Sequence, residues 1–401
     1  MRDVFLTFLR LGLTSFGGPI AHLGYFRREF VERKAWLDEA AYAQIVAFCS
    51  VVPGPTSSQV GMLVGMLQAG PFGGLIAWLG FTAPSALIMA ALGATLDRLT
   101  AGEIGTPPWL AGLLVGLTAA AAAIVAQAVL AMAKSQCPDR ETQTIAIGAT
   151  ILAYALQGAA NLQWAPIAIG ALVGALFMSR TAARPASSAA GLPLVVDARV
   201  AAGAAAAFLT LVAAVSMLAA RTEVGTFAAI VVRAGSLVFG GGHVVLPLLQ
   251  SSVSDGLISS RDFFAGYGAV QAMPGPLFTF AAFLGEANLS PLHGPLGAIV
   301  ATIIIFAPSF LLVIALAPVW NAARALPGIS GALRGASASV VGVLAALLYS
   351  PIVMNLGTSV PRISIALAAF ALVLVWKAPP WVVVVGAALT GTAFALGGLA
   401  I

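Results

Sequence analysis

Long apolar runs with almost no charge recur along the whole chain, for example at 110–132 and 200–220. Each run is close to the roughly 20 helical residues that cross a hydrocarbon core of about 30 Å. The runs do not alternate polar and apolar residues, so they lack the pattern of barrel strands. The pattern therefore predicts an all-α integral membrane protein with about 13 hydrophobic segments.

Composition supports a lipid bilayer as the surroundings. Apolar residues make up 60% of the chain and charged residues 8%, whereas soluble domains carry about 25% charged residues. The net charge of +5 is spread over loops without interleaved aromatic residues, so we expect no nucleic-acid partner. Cys49 and Cys137 fit neither a metal site nor a disulfide framework, and we expect no metal and no cofactor.

The sequence repeats itself at a nearly constant separation along the chain, which is the strongest sign of its organisation. The equivalent positions are Arg10 and Arg233, Phe16-Gly17-Gly18 and Phe239-Gly240-Gly241, Pro53-Gly54-Pro55 and Pro274-Gly275-Pro276, and Ala83-Pro84-Ser85 and Ala307-Pro308-Ser309. Duplicated halves are common in secondary transporters. We therefore expect a first repeat at 1–178, a linker plus an extra membrane segment at 179–223, and a second repeat at 224–401.

The extra segment leaves an odd number of spans between the repeats, which predicts two inverted-topology repeats. Either all segments span, or the broken first two segments of each half re-enter on one side. The re-entrant arrangement places most of the 19 basic residues on the cytoplasmic side, and the positive-inside rule favours it. In this arrangement Arg28 and the linker near Arg184 are cytoplasmic, while Arg261 faces out.

Glycine and proline interrupt two segments of each half, where they weaken or break a helix. A half-helix that begins after such a break directs free N–H groups and partial positive charge toward a cavity, which suits an anion. Hydroxyl groups just after the breaks would add donors. A proline kink that serves packing alone remains the alternative. The candidate binding residues here are Gly17, Gly18, Pro53, Gly54, Pro55, Thr56, Ser57, Gly240, Gly241, Gly242, Pro274, Gly275, Pro276 and Thr279.

Two arginines lie at equivalent places, Arg10 and Arg233, each six residues before a Phe-Gly-Gly run. An arginine in mid-membrane costs about 3 kcal/mol on insertion scales, so it usually serves function. Guanidinium groups also pair bidentately with tetrahedral oxyanions. The alternative is that both side chains snorkel to the interface. These features together favour an anion transporter.

Three further groups are candidates for binding the anion or carrying a coupling proton: His22, His243 and Glu286. Each also has a structural explanation, as a buried histidine or as an acid at a loop edge. The sequence contains no Walker-type glycine loop and no pair of acids placed for catalysis. This absence disfavours an ATP-driven motor and a membrane enzyme.

The combination of motifs resembles the chromate ion transporters in their long, two-domain form. The resemblance rests on Phe-Gly-Gly-Pro-x-x-His at 16–22, Val-Pro-Gly-Pro at 52–55, Phe-Gly-Gly-Gly-His at 239–243 and Met-Pro-Gly-Pro-Leu-Phe-Thr-Phe at 273–280. It implies a multi-pass protein of the bacterial inner membrane that exports chromate, driven by protons. Alternatives are a carrier for another oxyanion such as sulfate and, in another class, a membrane enzyme or sensor. A homodimer is left open.

Overall fold

The protein is described by a computed structural model over residues 1–100, 106–156, 162, 164–178, 192–238, 242, 245–320 and 327–399. Regular structure in these ranges is helical. The first half contains α1 (Arg2–Thr14), α2 (Gly18–Arg27), a π-helical stretch (Arg28–Arg33), α3 (Glu39–Val51), α4 (Thr56–Thr100), α5 (Pro108–Gln136), α6 (Arg140–Ala155) and α7 (Ala165–Phe177).

The helix α8 (Ala198–Ala219) follows the linker and precedes the second half. The second half contains α9 (Glu223–Leu237), α10 (Val245–Leu249), α11 (Ser251–Ser254), α12 (Ser260–Val270), a short 3₁₀ turn (Leu277–Thr279), α13 (Phe280–Ala287), α14 (Gly294–Leu316), α15 (Pro327–Leu347), α16 (Met354–Leu356), α17 (Val360–Leu374) and α18 (Pro380–Leu396).

Within the described ranges, five stretches are long and apolar enough to cross a bilayer: Thr56–Leu99, Pro108–Gln136, Ala198–Ala219, Gly294–Leu316 and Gly328–Leu356. Several shorter apolar helices accompany them. These lengths and compositions confirm a helical, multi-pass membrane protein.

The long helix α4 is a hairpin, because its backbone leaves helical geometry at Ala69 and Gly70. Its two arms touch where a Cβ on Gly65 would lie 2.5 Å from the carbonyl oxygen of Gly73. The equivalent arms of the second half, α13 and α14, meet in the same way at Gly285 and Gly297, at 2.2 Å. Small residues allow such close approach of helices in membranes.

Each half supplies helices that pack against the other half. The helix α5 lies against α17 and α18, while α15 lies against α6 and α7. A Cβ on Gly112 would lie 2.3 Å from the carbonyl oxygen of Gly391, and one on Gly174 would lie 2.2 Å from that of Gly331. The two halves are therefore interleaved through equivalent glycine contacts.

Candidate functional site

The glycine and proline runs break the helices where the sequence analysis expected. The helix α1 ends at Thr14 and α2 begins at Gly18, with Gly17 and Gly18 at φ values of +97° and +76°. Such left-handed values are accessible to glycine at little cost. The second break separates Val51 from Thr56, and its counterpart separates α12 from the 3₁₀ turn before α13.

Backbone hydrogen bonds join the breaks of the two halves. The N–H of Gly54 donates to the carbonyl of Val238 at 2.7 Å, and the N–H of Gly275 donates to the carbonyl of Ser15 at 2.8 Å. Ser15 and Val238 occupy equivalent positions, directly after α1 and α9. Each Pro-Gly-Pro break is thus tied to the helix end that precedes the glycine run of the other half.

Two buried serines lie against the same breaks. A Cβ on Gly54, whose φ is +131°, would lie 2.2 Å from the Cβ of Ser309. A Cβ on Gly275 would lie 3.0 Å from the Oγ of Ser85. Ser85 and Ser309 close the two equivalent Ala-Pro-Ser runs, so the repeats meet at a junction that has no room for a side chain at Gly54.

His22 is fully buried at this junction. Its Nε2 lies 3.1 Å from the carbonyl oxygen of Ser15 and its Nδ1 lies 3.2 Å from the Oγ of Ser57. Because a carbonyl only accepts, Nε2 donates, and the hydroxyl of Ser57 then donates to Nδ1. The ring therefore holds the end of α1 to the beginning of α4 with both nitrogens occupied.

Several buried polar atoms at the first turn of α4 and the end of α1 have no hydrogen-bond partner among the described residues. Gln59 donates its Nε2 to the carbonyl of Pro53 at 2.8 Å. Its Oε1 and the hydroxyls of Ser58 and Ser15 are buried without a hydrogen-bond partner in the described part of the chain. A buried polar group that lacks a partner costs about 1–3 kcal/mol, so these atoms favour water or a polar ligand nearby.

A cavity of about 420 Å³ adjoins the breaks. Gly17, Gly18 and Gly275 belong to its lining. Gln127 of α5 and Lys377 of the α17–α18 connection line it as well. Pockets of this size are typical of small-ligand sites.

Lys377 has an unusual backbone conformation, with a φ of +52°. It lies just beyond α17, where the N–H of Ala378 donates to the carbonyl of Leu372 at 3.0 Å. Glycine is usual at this position of a helix end, and the left-handed conformation costs another residue about 1–2 kcal/mol. Strain of this kind concentrates at functional sites.

Gln271 completes the polar lining of the cavity. This residue is 6% exposed. The Nε2 has no hydrogen-bond partner within the described ranges. Sequence analysis missed Gln271, Gln127 and Lys377, because they lie on separate elements and belong to no motif of the repeat.

The two predicted arginines have different surroundings. Arg10 is exposed on α1, which packs chiefly against α4, and it is not among the residues that line the cavity. Arg233 is half-buried and lies close enough to Asp255 for their charges to interact. The extra helix α8 packs against α9, which carries Arg233, and against α14.

The other predicted residues fall into four sets. Gly242 lies beside Gly18 at the junction, since a Cβ on either would contact Leu277, at 2.7 and 3.9 Å. Glu286 lies in a separate apolar groove between α4 and α14. Four residues flank the breaks without lining the cavity, and three others lie outside the described residues. The flanking residues are Pro53, Pro55, Pro274 and Pro276; those outside the description are Gly240, Gly241 and His243.

Two hydroxyl groups after the breaks are also placed. Thr279 is fully buried and donates to the carbonyl of Pro276 at 2.8 Å. Thr56 begins α4 and is half-buried. Neither lines the cavity.

Both halves of the sequence match the chromate transporter family, over residues 2–178 and 225–392. The chain belongs to the chromate transporter family. This membership confirms the resemblance seen in the motifs, and it confirms a transport protein rather than an enzyme. No solved structure matches this chromate transporter family member.

Relatives of this chromate transporter family member cover most of its length. A chromate transport protein of Pseudomonas aeruginosa is 29% identical over 370 residues, which is 92% of this chain and 85% of that protein. A chromate transport protein of Cupriavidus metallidurans is 26% identical over 405 residues, which is 98% of this chain and 92% of that protein. A probable chromate transport protein of Synechococcus elongatus is 28% identical over 352 residues, 84% of this chain and 81% of that protein.

Proposed function

We propose that this protein exports chromate across the bacterial inner membrane, coupled to protons, and that the anion binds in the cavity beside the helix breaks. The observation that supports this site is the cavity itself, whose walls combine Gly17 and Gly18 of one half with Gly275 and Lys377 of the other. The choice of chromate as the substrate rests on the relatives that are named as chromate transport proteins.

The charges around the cavity suit a dianion. Lys377 contributes one positive charge, and Gly18 and Pro380, the first residues of two helices, also line the cavity. Each terminus is equivalent to roughly half a positive charge, so the total is about two. A bare dianion in a low-dielectric medium is prohibitively costly, and a matched rather than excessive charge permits release.

Chromate transport into inverted membrane vesicles, with and without a proton gradient, tests the proposal. Lys377→Gly removes the charge while relieving the backbone, so we expect folded protein with at least a tenfold higher half-saturating chromate concentration. Lys377→Arg retains the charge and is expected to retain most transport. Lys134→Gln is the control, because Lys134 is exposed and does not line the cavity. Wild-type vesicles that move no chromate would overturn the proposal.

The same vesicle assay distinguishes binding in this cavity from binding by an arginine clamp. A clamp formed by Arg10 and Arg233 predicts that Arg10→Gln and Arg233→Gln abolish transport. The cavity predicts that Arg10→Gln transports normally, because that side chain is exposed.

Labelled sulfate addresses the alternative substrate, since it has the same tetrahedral shape and charge as chromate. Faster movement of sulfate than of chromate would assign the protein to the sulfate alternative.

For the coupling proton we propose Glu286, with His22 and His243 as the other candidates. His22 has both ring nitrogens engaged, whereas Glu286 is half-buried and interacts with the charges of Asp97, Arg98 and His293. Glu286→Gln is expected to transport chromate down its own gradient but to lose acceleration by a proton gradient. Unchanged acceleration would exclude Glu286.

We further propose that 1–178 and 224–401 are inverted repeats, separated by 179–223, and that the broken segments of each half re-enter on one side. The reciprocal hydrogen bonds at Gly54 and Gly275 support the equivalence of the two repeats, and the distribution of basic residues supports re-entry. Single cysteines at 28 and 184, in a variant that lacks Cys49 and Cys137, test it by labelling. We expect both to be protected from a periplasmic reagent; labelling of position 28 alone would contradict the re-entrant arrangement.

A further inference from the structure

A second polar cavity, of about 370 Å³, lies along the same three helices that border the first one. The helix α5 contributes Thr118 to its lining, α12 contributes Arg261, and α17 contributes Arg362. The first cavity is lined by Gln127 of α5, by Gln271 just beyond α12, and by residues at the end of α17. Both cavities therefore lie along α5, which packs against α12 and against α17; we call this path the seam between α5, α12 and α17.

The order of residues places the two cavities at opposite ends of this seam. On each helix the residue that lines the second cavity comes before the one that lines the first, so the three helices run parallel. Thr118 and Gln127 are nine residues apart on α5, which corresponds to about 13 Å along the helix axis.

The seam is closed between the cavities. A Cβ on Gly268 would lie 2.2 Å from the carbonyl oxygen of Leu117, so α12 and α5 touch through their backbones. Between the residues that line the two cavities, Tyr267 of α12 and Ala121 of α5 are fully buried, and Ala369 of α17 is 3% exposed. Passage from one cavity to the other requires the helices to separate.

The second cavity carries two guanidinium groups. Arg261 donates its Nε to Oδ1 of Asp262 at 3.2 Å, which leaves its terminal nitrogens available. Arg362 donates Nη1 to the carbonyl of Asn355 at 3.4 Å, and its buried Nε has no hydrogen-bond partner in the described part of the chain. Two arginines beside one carboxylate give a positive site, and their planar donors match a tetrahedral oxyanion.

We infer that Arg261 and Arg362 form a second binding site for the transported oxyanion, on the membrane side opposite to Lys377, and that the seam between α5, α12 and α17 is the route between the two sites. This inference rests on the proposed function for the identity of the anion. The seam itself is independent of that identity, and its accessibility is tested separately.

Thiol labelling tests the route without any transport assay. Thr118→Cys and Gln127→Cys, each in a variant that lacks Cys49 and Cys137, should react with a membrane-impermeant reagent from opposite faces. Ala121→Cys lies between them and should stay unreactive in the resting protein. Labelling of both cavity positions from the same face, or of neither, would overturn the route.

Transport from each side tests the two sites. Arg362→Gln should raise the half-effective chromate concentration about tenfold or more when the anion is added on its own side, because a charge-assisted hydrogen bond is lost. Arg362→Gln should not change the half-effective chromate concentration when the anion is added on the Lys377 side. Lys377→Gly should raise that concentration on the Lys377 side and leave it unchanged on the Arg362 side. Arg221→Gln is the control, since Arg221 is exposed and lines neither cavity.

The outcomes separate the two proposals. If wild-type protein moves chromate while Arg362→Gln and Arg261→Gln change neither half-effective concentration, the second site is wrong and the proposed function stands. If wild-type protein moves no chromate, the proposed function fails. The same comparison is then made with sulfate on each side, and equal values for wild type and Arg362→Gln would overturn the second site as well.

Discussion

The junction between the halves depends on single residues that have no side chain. Gly54→Ala would place a methyl group 2.2 Å from the Cβ of Ser309, at a φ of +131°. Because a left-handed backbone and overpacking both destabilise the variant, we expect its free energy of unfolding to fall by about 2–5 kcal/mol. Gly148→Ala is the control, because a Cβ there meets nothing within 4 Å. Thermal unfolding in detergent measures both, and equal stabilities would contradict the junction.

Asp139 links the halves through its carboxylate, which accepts from Arg334 and from the N–H of Thr142 at 2.9 Å. The hydrogen bond from Thr142, more than the charge of Arg334, lowers the pKa of Asp139. A lowered pKa means that the stabilisation is complete above the ordinary Asp pKa and is lost as the pH falls through the lowered value. The melting temperature should therefore fall in acid for wild type but less for Asp139→Asn.

Arg334→Gln should lower the stability only slightly. Both side chains of the Arg334–Asp139 pair are about one-third exposed, and surface pairs contribute about 0–1 kcal/mol.

At the scale of elements, the interleaving of the halves depends on glycine contacts. Gly391→Leu should separate α18 from α5, because a Cβ added at this position would lie 2.2 Å from the carbonyl oxygen of Gly112. Gly386→Leu, on the same helix, meets nothing within 4 Å and serves as the matched control. We expect only Gly391→Leu to lose thermal stability in detergent, by about 1–3 kcal/mol. Similar melting temperatures for the two variants would argue against close packing of α5 and α18.

The sequence predicted the helix breaks well, because Pro53 and Pro55 lack the backbone N–H that a helix needs. Gly54 between them adopts a φ of +131°, which is accessible to glycine at little cost. It could not predict the polar lining of the cavity. Gln127 and Lys377 come together only because α17 and α18 pack against α5 of the other half, and this pairing leaves no periodic signal. For Arg10 the sequence showed the match to Arg233 clearly but could not show that the two arginines differ in burial. The burial of each side chain depends on which helices cover its position in the fold.

For the whole molecule, interleaving predicts that neither half is stable alone. The helix α5 lacks its partners α17 and α18 when the chain ends before the second half, and α15 lacks α6 and α7 in the converse case. Co-expressed halves, divided within the linker at 179–191, should therefore copurify and transport chromate. Each half expressed by itself should be degraded or aggregate, which immunoblotting of membranes detects. Accumulation of a monodisperse single half would contradict this dependence.

The paired hydrogen bonds from Gly54 to Val238 and from Gly275 to Ser15 also bear on how such a gene tolerates change. Both bonds use main-chain atoms only, so replacing the side chain of Ser15 or Val238 leaves the donor and the acceptor in place. Two half-length subunits in opposite orientations would form the same two bonds with each other. A gene fusion that joined two such subunits would therefore keep these two interface bonds from the start. Later divergence between the two copies would be limited at these positions by backbone shape rather than by side-chain chemistry.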